Sequence, residues 1–132
     1  MYVETDFLLA LAKPDDWLQD AAREALEKHD DIHTSINAYT ELLLYAYDSE
    51  TGEYTIDVER ALTNLVERVP VQPAVHEEAV LVAAVLASED DFTPFDAIHA
   101  GIAIASGETI LSSEQDYDKI DIDRLQLESR DE

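Results

Sequence analysis

The sequence predicts an α/β fold: a three-layer α/β/α sandwich with a short, mostly parallel central sheet. Short apolar segments rich in β-branched residues alternate along the chain with longer segments whose apolar residues recur at helical spacing. This alternation is typical of a parallel sheet with helices on both faces. Neither a linker nor an internal repeat interrupts it, so we expect one domain covering residues 1–132.

The stretch that starts at Thr93 is the most informative and predicts a helix, a glycine turn and a strand. Pro94 suits the first turn of a helix, where its missing N–H is not needed, and Gly107 suits the end of that helix. Residues 108–111 then read as a short buried strand. Asp96 is unusual, because a carboxylate inside an apolar helix is costly to bury without a metal or a charged partner.

Other short apolar segments are also expected to be strands. Their predicted spans are 2–6, 32–34, 69–71 and 120–127. Pro70 and Pro73 indicate that the third of these pairs only briefly or at an edge of the sheet. We expect the last strand to lie at an edge as well.

The remaining segments are expected to be helices with one apolar face. Their predicted spans are 7–12, 15–29, 35–47, 55–67 and 75–87. Asp15, Ser35 and Thr55 suit the N-cap position, because their side-chain oxygens can accept a backbone N–H. We expect Trp17 to pack at the start of the second helix and residues 49–53 to form a loop.

The charge balance is extreme, with 31 acidic residues against 8 basic residues and a formal net charge of −23 at pH 7. Because the acids are spread along the chain, the charge belongs to the whole surface and not to a tail. Adaptation to multimolar salt, as in a halophilic archaeon, explains it, since the screening length falls to about 3 Å there. The alternative is an acidic protein that binds a basic partner.

Composition excludes several classes of function. Without cysteine the chain can form neither disulfides nor thiolate metal sites. No apolar run is long enough to cross a membrane, and no basic segment followed by an apolar one opens the chain, so we expect a cytoplasmic protein without membrane contact. The sequence also lacks a glycine-flanked nucleophilic serine and a phosphate-cradling glycine loop.

Six carboxylates occupy positions that a parallel sheet would bring together. They are Glu4, Asp6, Glu41, Asp96, Glu114 and Asp116. The first two end the first predicted strand and, two residues apart on extended backbone, are expected to point the same way. Because right-handed crossovers place the carboxyl ends of parallel strands on one rim, all six are expected to converge.

Clustered carboxylates without neighbouring Lys or Arg suit a hard divalent cation. Mg²⁺ takes oxygen ligands and keeps several of its waters, and such an ion can activate water for attack on a phosphodiester. From the residues alone, Glu41 can equally be an exposed surface acid. His99 lies three residues after Asp96, so the two can meet on one helix face in a local hydrogen bond or a catalytic pair.

At these residues the sequence resembles the PIN-domain family of metal-dependent ribonucleases, and most closely its VapC-type toxins. Four motifs match in order: YVETDFLL, SINAYTELLL, TPFDAIHAGIAI and ILSSEQDYDKI. Together they cover essentially the whole chain, and the third and fourth are the most specific. The family's acids in the second and third motifs correspond to Glu41 and Asp96.

The first and last motifs depart from the family pattern. The usual Asp of the first motif falls on Glu4, with Asp6 nearby, and that of the last falls on Glu114, with Asp116 nearby. Ser112 takes the place of the usual Thr. Both substitutions keep the negative charge, so either member of each pair is a candidate metal ligand.

The resemblance implies a flavodoxin-like sandwich, an RNA substrate, Mg²⁺ or Mn²⁺, a homodimer and a small antitoxin that covers the site. It implies that Asp96 binds the metal directly, together with Asp6 or Glu4. The other acids would hold the ion through waters or bind a second ion; they are Glu41, Glu114 and Asp116. The hydroxyl residues expected to support these ligands are Thr5, Ser35 and Ser112.

Three alternatives stay open at this point. One is a housekeeping PIN nuclease that processes ribosomal or transfer RNA. Another is a non-catalytic metal- or RNA-binding PIN-like module, which the Asp-to-Glu departures would allow. The third is a structural protein whose acids all serve salt adaptation; it predicts scattered acids and does not explain Asp96 inside an apolar helix.

Overall fold

A short parallel sheet lies at the centre of the structure, a computed structural model that describes residues 1–72 and 77–128. The helices are Thr5–Ala12 (α1), Gln19–Lys28 (α2), Ile36–Ala46 (α3), Val58–Arg68 (α4), Glu77–Glu89 (α5) and Pro94–Ser106 (α6). The strands are Tyr2–Val3 (β1), Tyr47–Asp48 (β2), Glu53–Tyr54 (β3), Ile110–Ser112 (β4) and Arg124–Gln126 (β5), and a 3₁₀ helix covers Gln115–Lys119.

Strand β4 lies between β1 and β5, and both neighbours run parallel to it. Isolated parallel bridges extend this sheet beyond β1, from Tyr2 to His33 and from Thr34 to Val71. The chain therefore contributes parallel segments in the spatial order Val71, 33–34, β1, β4, β5. Their carboxyl ends all face the same rim of the sheet.

The sheet separates two hydrophobic cores. Val3 and Leu111, which are paired in register, face a core formed with α1, α2, α3 and α4. Tyr2 and Ile110, also paired, face a core formed with α5 and α6. Successive side chains of a strand point to opposite faces, so each strand serves both cores. The three-layer α/β/α architecture predicted from the sequence is confirmed.

Helix α6 has the boundaries that its sequence predicted. Thr93 is the N-cap residue and Pro94 occupies the first turn. Gly107 ends the helix in the left-handed conformation, with φ of 66°, and its N–H bonds to the carbonyls of Ala103 and Ile104. This glycine reverses the chain directly into β4, which fixes α6 antiparallel to that strand and puts its first turn at the carboxyl rim.

The first strand is shorter than predicted, and the expectation that Glu4 and Asp6 point the same way from it was wrong. β1 ends at Val3, Glu4 is the N-cap residue of α1, and Asp6 lies in the first helical turn. Helical backbone allows the buried Phe7 and Leu8 to reach the same core. Because helical backbone buries both side chains, α1 begins at Thr5, two residues before the predicted start.

Other boundaries also differ. The predicted start of α2 at Asp15 was wrong. That residue adopts a left-handed φ of 64°, which an α-helix does not contain, and α2 begins at Gln19. Trp17 does not pack at the helix start; it is 74% exposed. Residues 32–34 and 69–71 take part in the sheet only through single bridges.

The remaining differences lie in the connections. The loop predicted at residues 49–53 is the turn of an antiparallel hairpin between β2 and β3, and only Glu53 belongs to a strand. Asp57, not Thr55, caps α4 by accepting the backbone N–H of Arg60. The last strand has three residues and lies at the sheet edge, as expected. Residues 73–76, which include the predicted helix start at 75, lie outside the described residues, as do residues 129–132.

In the described part of the chain, no helix combines the length and apolarity needed to cross a membrane.

Helices α5 and α6 cross so closely that α6 accommodates only glycine at position 101. A Cβ built on Gly101 would lie 2.4 Å from the carbonyl oxygen of Ala79 and 3.3 Å from the Cβ of Ala83. Rotation of a side chain cannot relieve a contact with backbone. The crossing therefore sets the position of α6 and of Asp96 in its first turn.

We expect Gly101→Ala to lower the free energy of unfolding by about 1–3 kcal/mol, because the added methyl group forces the two helices apart. Chemical denaturation of both proteins in concentrated KCl measures the change. At an unobstructed helical glycine the same substitution would be stabilising by up to about 1 kcal/mol. A more stable variant would therefore contradict the close crossing.

Candidate metal centre

The predicted acids that gather at the carboxyl rim are carried by several different elements. Asp6 lies in the first turn of α1, and Asp96 lies in the first turn of α6. Glu41 is in α3, and Glu114 follows β4 as the N-cap residue of the 3₁₀ helix. The first turn of a helix is a favourable place for a carboxylate, because the helix dipole is positive there.

The pKa shifts of two of these acids show that the carboxylates influence one another. Asp6 is an exposed residue overall, yet loss of water around its carboxylate raises its pKa, and the three other carboxylates raise it further. Burial also raises the pKa of Asp96, although the Thr93 hydroxyl opposes the rise. The charges of Glu114 and Glu41 add to it. The four side chains thus share one region of negative potential.

In the described chain, no Lys or Arg side chain pairs with these four carboxylates, although His99 contacts Glu41. Within residues 1–72 and 77–128, the Lys and Arg ion pairs go to Glu24, Asp116 and Asp118. Asp6 and Asp96 therefore have repelling carboxylates as neighbours and no Lys or Arg of the described chain paired with them. Close carboxylates of this kind favour the binding of a proton or of a metal cation.

The donor chemistry at the rim fits a hydrated divalent cation. Mg²⁺ prefers oxygen ligands, keeps several waters, and is commonly held by one or two carboxylates. In the described ranges, no three His, Asp or Glu side chains are placed so that they could chelate an ion directly. A cation at this rim would therefore be held partly through its waters.

Glu41 is held differently from the other acids. Its Oε1 atom accepts a hydrogen bond from the Thr5 hydroxyl and lies 3.1 Å from Nε2 of His99. Burial alone would raise the pKa of Glu41, but these two hydrogen bonds outweigh it and the pKa is lowered. Glu41 is consequently an anchored, ionised carboxylate and not the free surface acid that the sequence also allowed.

A buried hydrogen-bonded chain stands behind Glu41. His99 is 1% exposed, and its Nδ1 lies 2.6 Å from the Tyr2 hydroxyl, which in turn lies 2.9 Å from Oγ of Ser35. The contacts are consistent when His99 donates from Nε2 to Glu41 and accepts at Nδ1 from Tyr2. Burial, as the largest cause, raises the pKa of Tyr2 and keeps its hydroxyl protonated for this donation.

Glu4 follows β1 at the carboxyl rim but is buried there. It is 4% exposed, and its two oxygens accept hydrogen bonds of 2.5 Å from the hydroxyls of Ser112 and Tyr117. Burial raises its pKa to about 7, against the lowering effect of both hydrogen bonds. Glu4 thus ties the end of β1 to the end of β4, and the charge of Asp6 adds to the rise of its pKa. Asp6 is the more exposed acid of this motif.

The two acids of the last motif are also separated. Glu114 raises the pKa of both Asp6 and Asp96. Asp116 is about half exposed and pairs with Lys119 at 2.9 Å. Ser112 holds this turn by accepting the backbone N–H of Glu114 at 2.9 Å. The structure therefore places Glu114 with the cluster and Asp116 outside it.

The hydroxyl residues expected to support the site take part in its hydrogen bonds, but not all in the expected way. Ser35 makes no side-chain cap on α3 and instead contacts Tyr2. The polar residues that sequence reasoning missed are Tyr2 and Tyr117. His99 was expected to meet Asp96 but contacts Glu41. The sequence could have predicted that His99 has a buried hydrogen-bond partner, because a histidine within an otherwise apolar helix needs one.

The pH dependence of stability tests the buried placement of Glu4. Folded Glu4 keeps its proton up to about pH 7, whereas its ordinary pKa is 4.5. The unfolded chain therefore releases this proton first, and stability falls as the pH rises through that window. We expect Glu4→Gln to remove about 3 kcal/mol of this fall, measured by urea unfolding at fixed high salt from pH 4 to 8.

The control for that experiment is Glu67→Gln, which changes an exposed glutamate and is expected to keep the wild-type profile. Identical profiles for wild type and Glu4→Gln would contradict the buried placement of this carboxyl.

Comparison with known proteins places the fold. The sequence matches the PIN domain over residues 1–123, and no curated protein matches it.

FitAcB from Neisseria gonorrhoeae superposes on it with a TM-score of 0.72 at 14% identity, over 96% of each chain. VapBC-1 from nontypeable Haemophilus influenzae gives 0.71 at 18% identity over 96% of each chain. VapBC2 from Rickettsia felis, bound to a DNA fragment from their promoter, gives 0.69 at 14% identity over 94% of this chain and 96% of that one. These identities support the common fold alone; the sequence match, which spans most of the chain, shows that this protein belongs to the PIN-domain family.

Proposed function

We propose that this protein is a Mg²⁺- or Mn²⁺-dependent endoribonuclease and the toxin of a toxin–antitoxin pair. The observation that carries the proposal is the set of mutually repelling carboxylates at the rim, none of which pairs with a Lys or Arg of the described chain. Membership of the PIN-domain family, whose members are generally nucleases, supports it.

In the proposed site Asp6 and Asp96 hold the metal directly, and Glu41 and Glu114 hold its waters or a second ion. When bound, the ion supplies an activated water and neutralises the charge that develops on the phosphodiester. His99 and Thr5 keep Glu41 ionised and fixed in orientation. Glu41 is thereby suited to accept a hydrogen bond from the attacking water.

The proposal includes a protein partner. Two structures with the same fold are named VapBC2 and VapBC-1, and the sequence resembles VapC-type toxins. A small antitoxin that covers the acidic rim would keep the nuclease inactive, and homodimerisation is part of the same proposal. The acidic surface, with 31 acidic residues, is attributed to a cytoplasm of high salt concentration.

A housekeeping PIN nuclease is the nearest alternative, because it would use the same site. The gene next to this one distinguishes the two: a short upstream reading frame for a DNA-binding protein supports the toxin. A non-catalytic PIN-like module would bind metal or RNA without cleaving it.

We expect the purified protein to cleave single-stranded RNA in concentrated KCl when Mg²⁺ or Mn²⁺ is added, and EDTA to stop cleavage. Asp6→Asn and Asp96→Asn should each reduce the rate at least about a hundredfold, because each removes a charge that holds the metal. Product formation on a labelled RNA, followed by gel electrophoresis, measures these rates.

Asp116→Asn is the matched control, since Asp116 follows the same strand but pairs with Lys119 away from the cluster. It should retain nearly the wild-type rate. Equal cleavage by wild type and Asp96→Asn would mean that the activity comes from another site or from a contaminant, and the proposal would fail.

A further inference from the structure

A pocket of about 210 Å³ opens beside the candidate metal centre, and the proposed metal binding does not use it. Asp6 forms part of its wall, so the pocket is continuous with the acidic rim. Its other lining residues include Lys13 at the end of α1, Trp17 in the turn before α2, and Tyr45 on α3. A ligand in this pocket would therefore lie next to any group bound at the metal centre.

Two aromatic side chains in this pocket are unusually exposed. Trp17 is 74% exposed and Tyr45 is 61% exposed. Among the described residues their rings do not pack against each other, since the aromatic contacts lie elsewhere. The Trp17 ring is consequently open to a planar ligand, as is the face of the Tyr45 ring that the Lys13 ammonium does not cover.

The turn that carries Trp17 is held by defined hydrogen bonds. The side-chain amide of Gln19 donates to the carbonyls of Ala10 and Lys13 at 3.2 and 3.0 Å. Asp16 accepts the backbone N–H of Leu18 at 2.9 Å. The exposed position of Trp17 is therefore a property of an ordered turn.

Lys13 gives the pocket a positive charge in a strongly acidic protein. Its Nζ lies 3.1 Å from the Tyr45 hydroxyl and 4.8 Å from the centre of the Tyr45 ring. Although Asp6 and Asp16 line the same pocket, Lys13 forms an ion pair with no acid in the described part of the chain. Its ammonium group donates one hydrogen bond to Tyr45 and has two further N–H donors for an anionic ligand.

We propose that this pocket is a subsite for one unpaired nucleotide of the RNA substrate, beside the nucleotide that is cleaved. The base stacks on Trp17 or Tyr45, and Lys13 contacts a phosphate. This inference rests on the proposed function. It identifies where the RNA would be recognised outside the metal centre.

The geometry favours a single-stranded nucleic acid over a peptide. Every base has a flat face that can stack on an aromatic ring, and proteins that bind single strands combine such rings with positive charge along the backbone. Lys13 follows Asp6 by seven residues along α1, which corresponds to about 10 Å. It would therefore contact a phosphate flanking the cleaved one and not the cleaved phosphate itself.

The test uses the full chain carrying Asp96→Asn, so that RNA stays intact. A mixed-sequence single-stranded RNA of ten nucleotides and its abasic analogue are titrated in concentrated KCl. Fluorescence anisotropy of labelled RNA reports binding. Because Trp17 is the single tryptophan of the chain, its fluorescence with unlabelled RNA reports stacking in the pocket.

We expect RNA to quench Trp17 fluorescence along the same curve as the anisotropy change, and the abasic analogue not to quench it. Tyr45→Ala should weaken RNA binding at least about fivefold, whereas Tyr45→Phe should bind like the parent. Lys13→Ala should lower the slope of log affinity against log salt concentration by about 0.7. Lys28→Ala and Leu81→Ala, at an exposed cation and an exposed apolar residue elsewhere, should have no effect.

Several outcomes would overturn the subsite. RNA that binds without changing Trp17 fluorescence, and with parental affinity for Tyr45→Ala and Lys13→Ala, would show that the strand lies elsewhere; the proposed nuclease would stand. If Tyr45→Ala keeps its affinity for RNA but loses its affinity for a purified antitoxin, the pocket is a protein-docking surface. If the parent does not bind RNA and the wild type does not cleave it, the subsite and the proposed function both fail.

Discussion

Repulsion among carboxylates at one rim of the sheet is the constraint on which this structure depends. The parallel arrangement of β1, β4 and the bridged segments puts the carboxyl ends of distant parts of the chain side by side. Helices α1 and α6 then begin at that rim and present Asp6 and Asp96 there. Burial raises the pKa of each, and the neighbouring carboxylates raise it further, so the folded state holds negative charge that a bound cation would relieve.

The protein uses its buried hydroxyl and imidazole groups to give the other acids different states. Glu41 receives hydrogen bonds from Thr5 and His99 and stays ionised at the rim. Glu4 is enclosed with two hydroxyl donors and holds its proton to about pH 7. These two glutamates thus differ in ionisation because of burial: Glu41 is partly exposed at the rim, and Glu4 joins β1 to the 3₁₀ helix through Tyr117.

Sequence patterns were sufficient for the layers of the fold and for the regions that carry the acids. Alternating apolar segments predicted the sandwich, and the proline and glycine at the ends of α6 predicted its limits, because those residues act through local backbone geometry. Asp15 was misread as a cap because its left-handed conformation depends on how the 13–18 turn closes against α1.

The choice between neighbouring acids could not be read from the sequence. Glu4 and Asp6 are both acids within one motif, and their roles separate only because the chain turns into a helix after Val3. His99 has its partners, Tyr2 and Glu41, on elements far away in the chain. Such contacts depend on the packing of α6 against α3 and the sheet, which local spacing does not encode.

The central claim is that Asp6, Glu41, Asp96 and Glu114 share a divalent cation. Crystals grown with Mn²⁺ and measured at the manganese absorption edge test it most directly. The account predicts an anomalous peak within coordination distance of the Asp6 and Asp96 carboxylates, and its loss in Asp96→Asn. A peak only at other surface acids, or the same peak in wild type and Asp96→Asn, would contradict it.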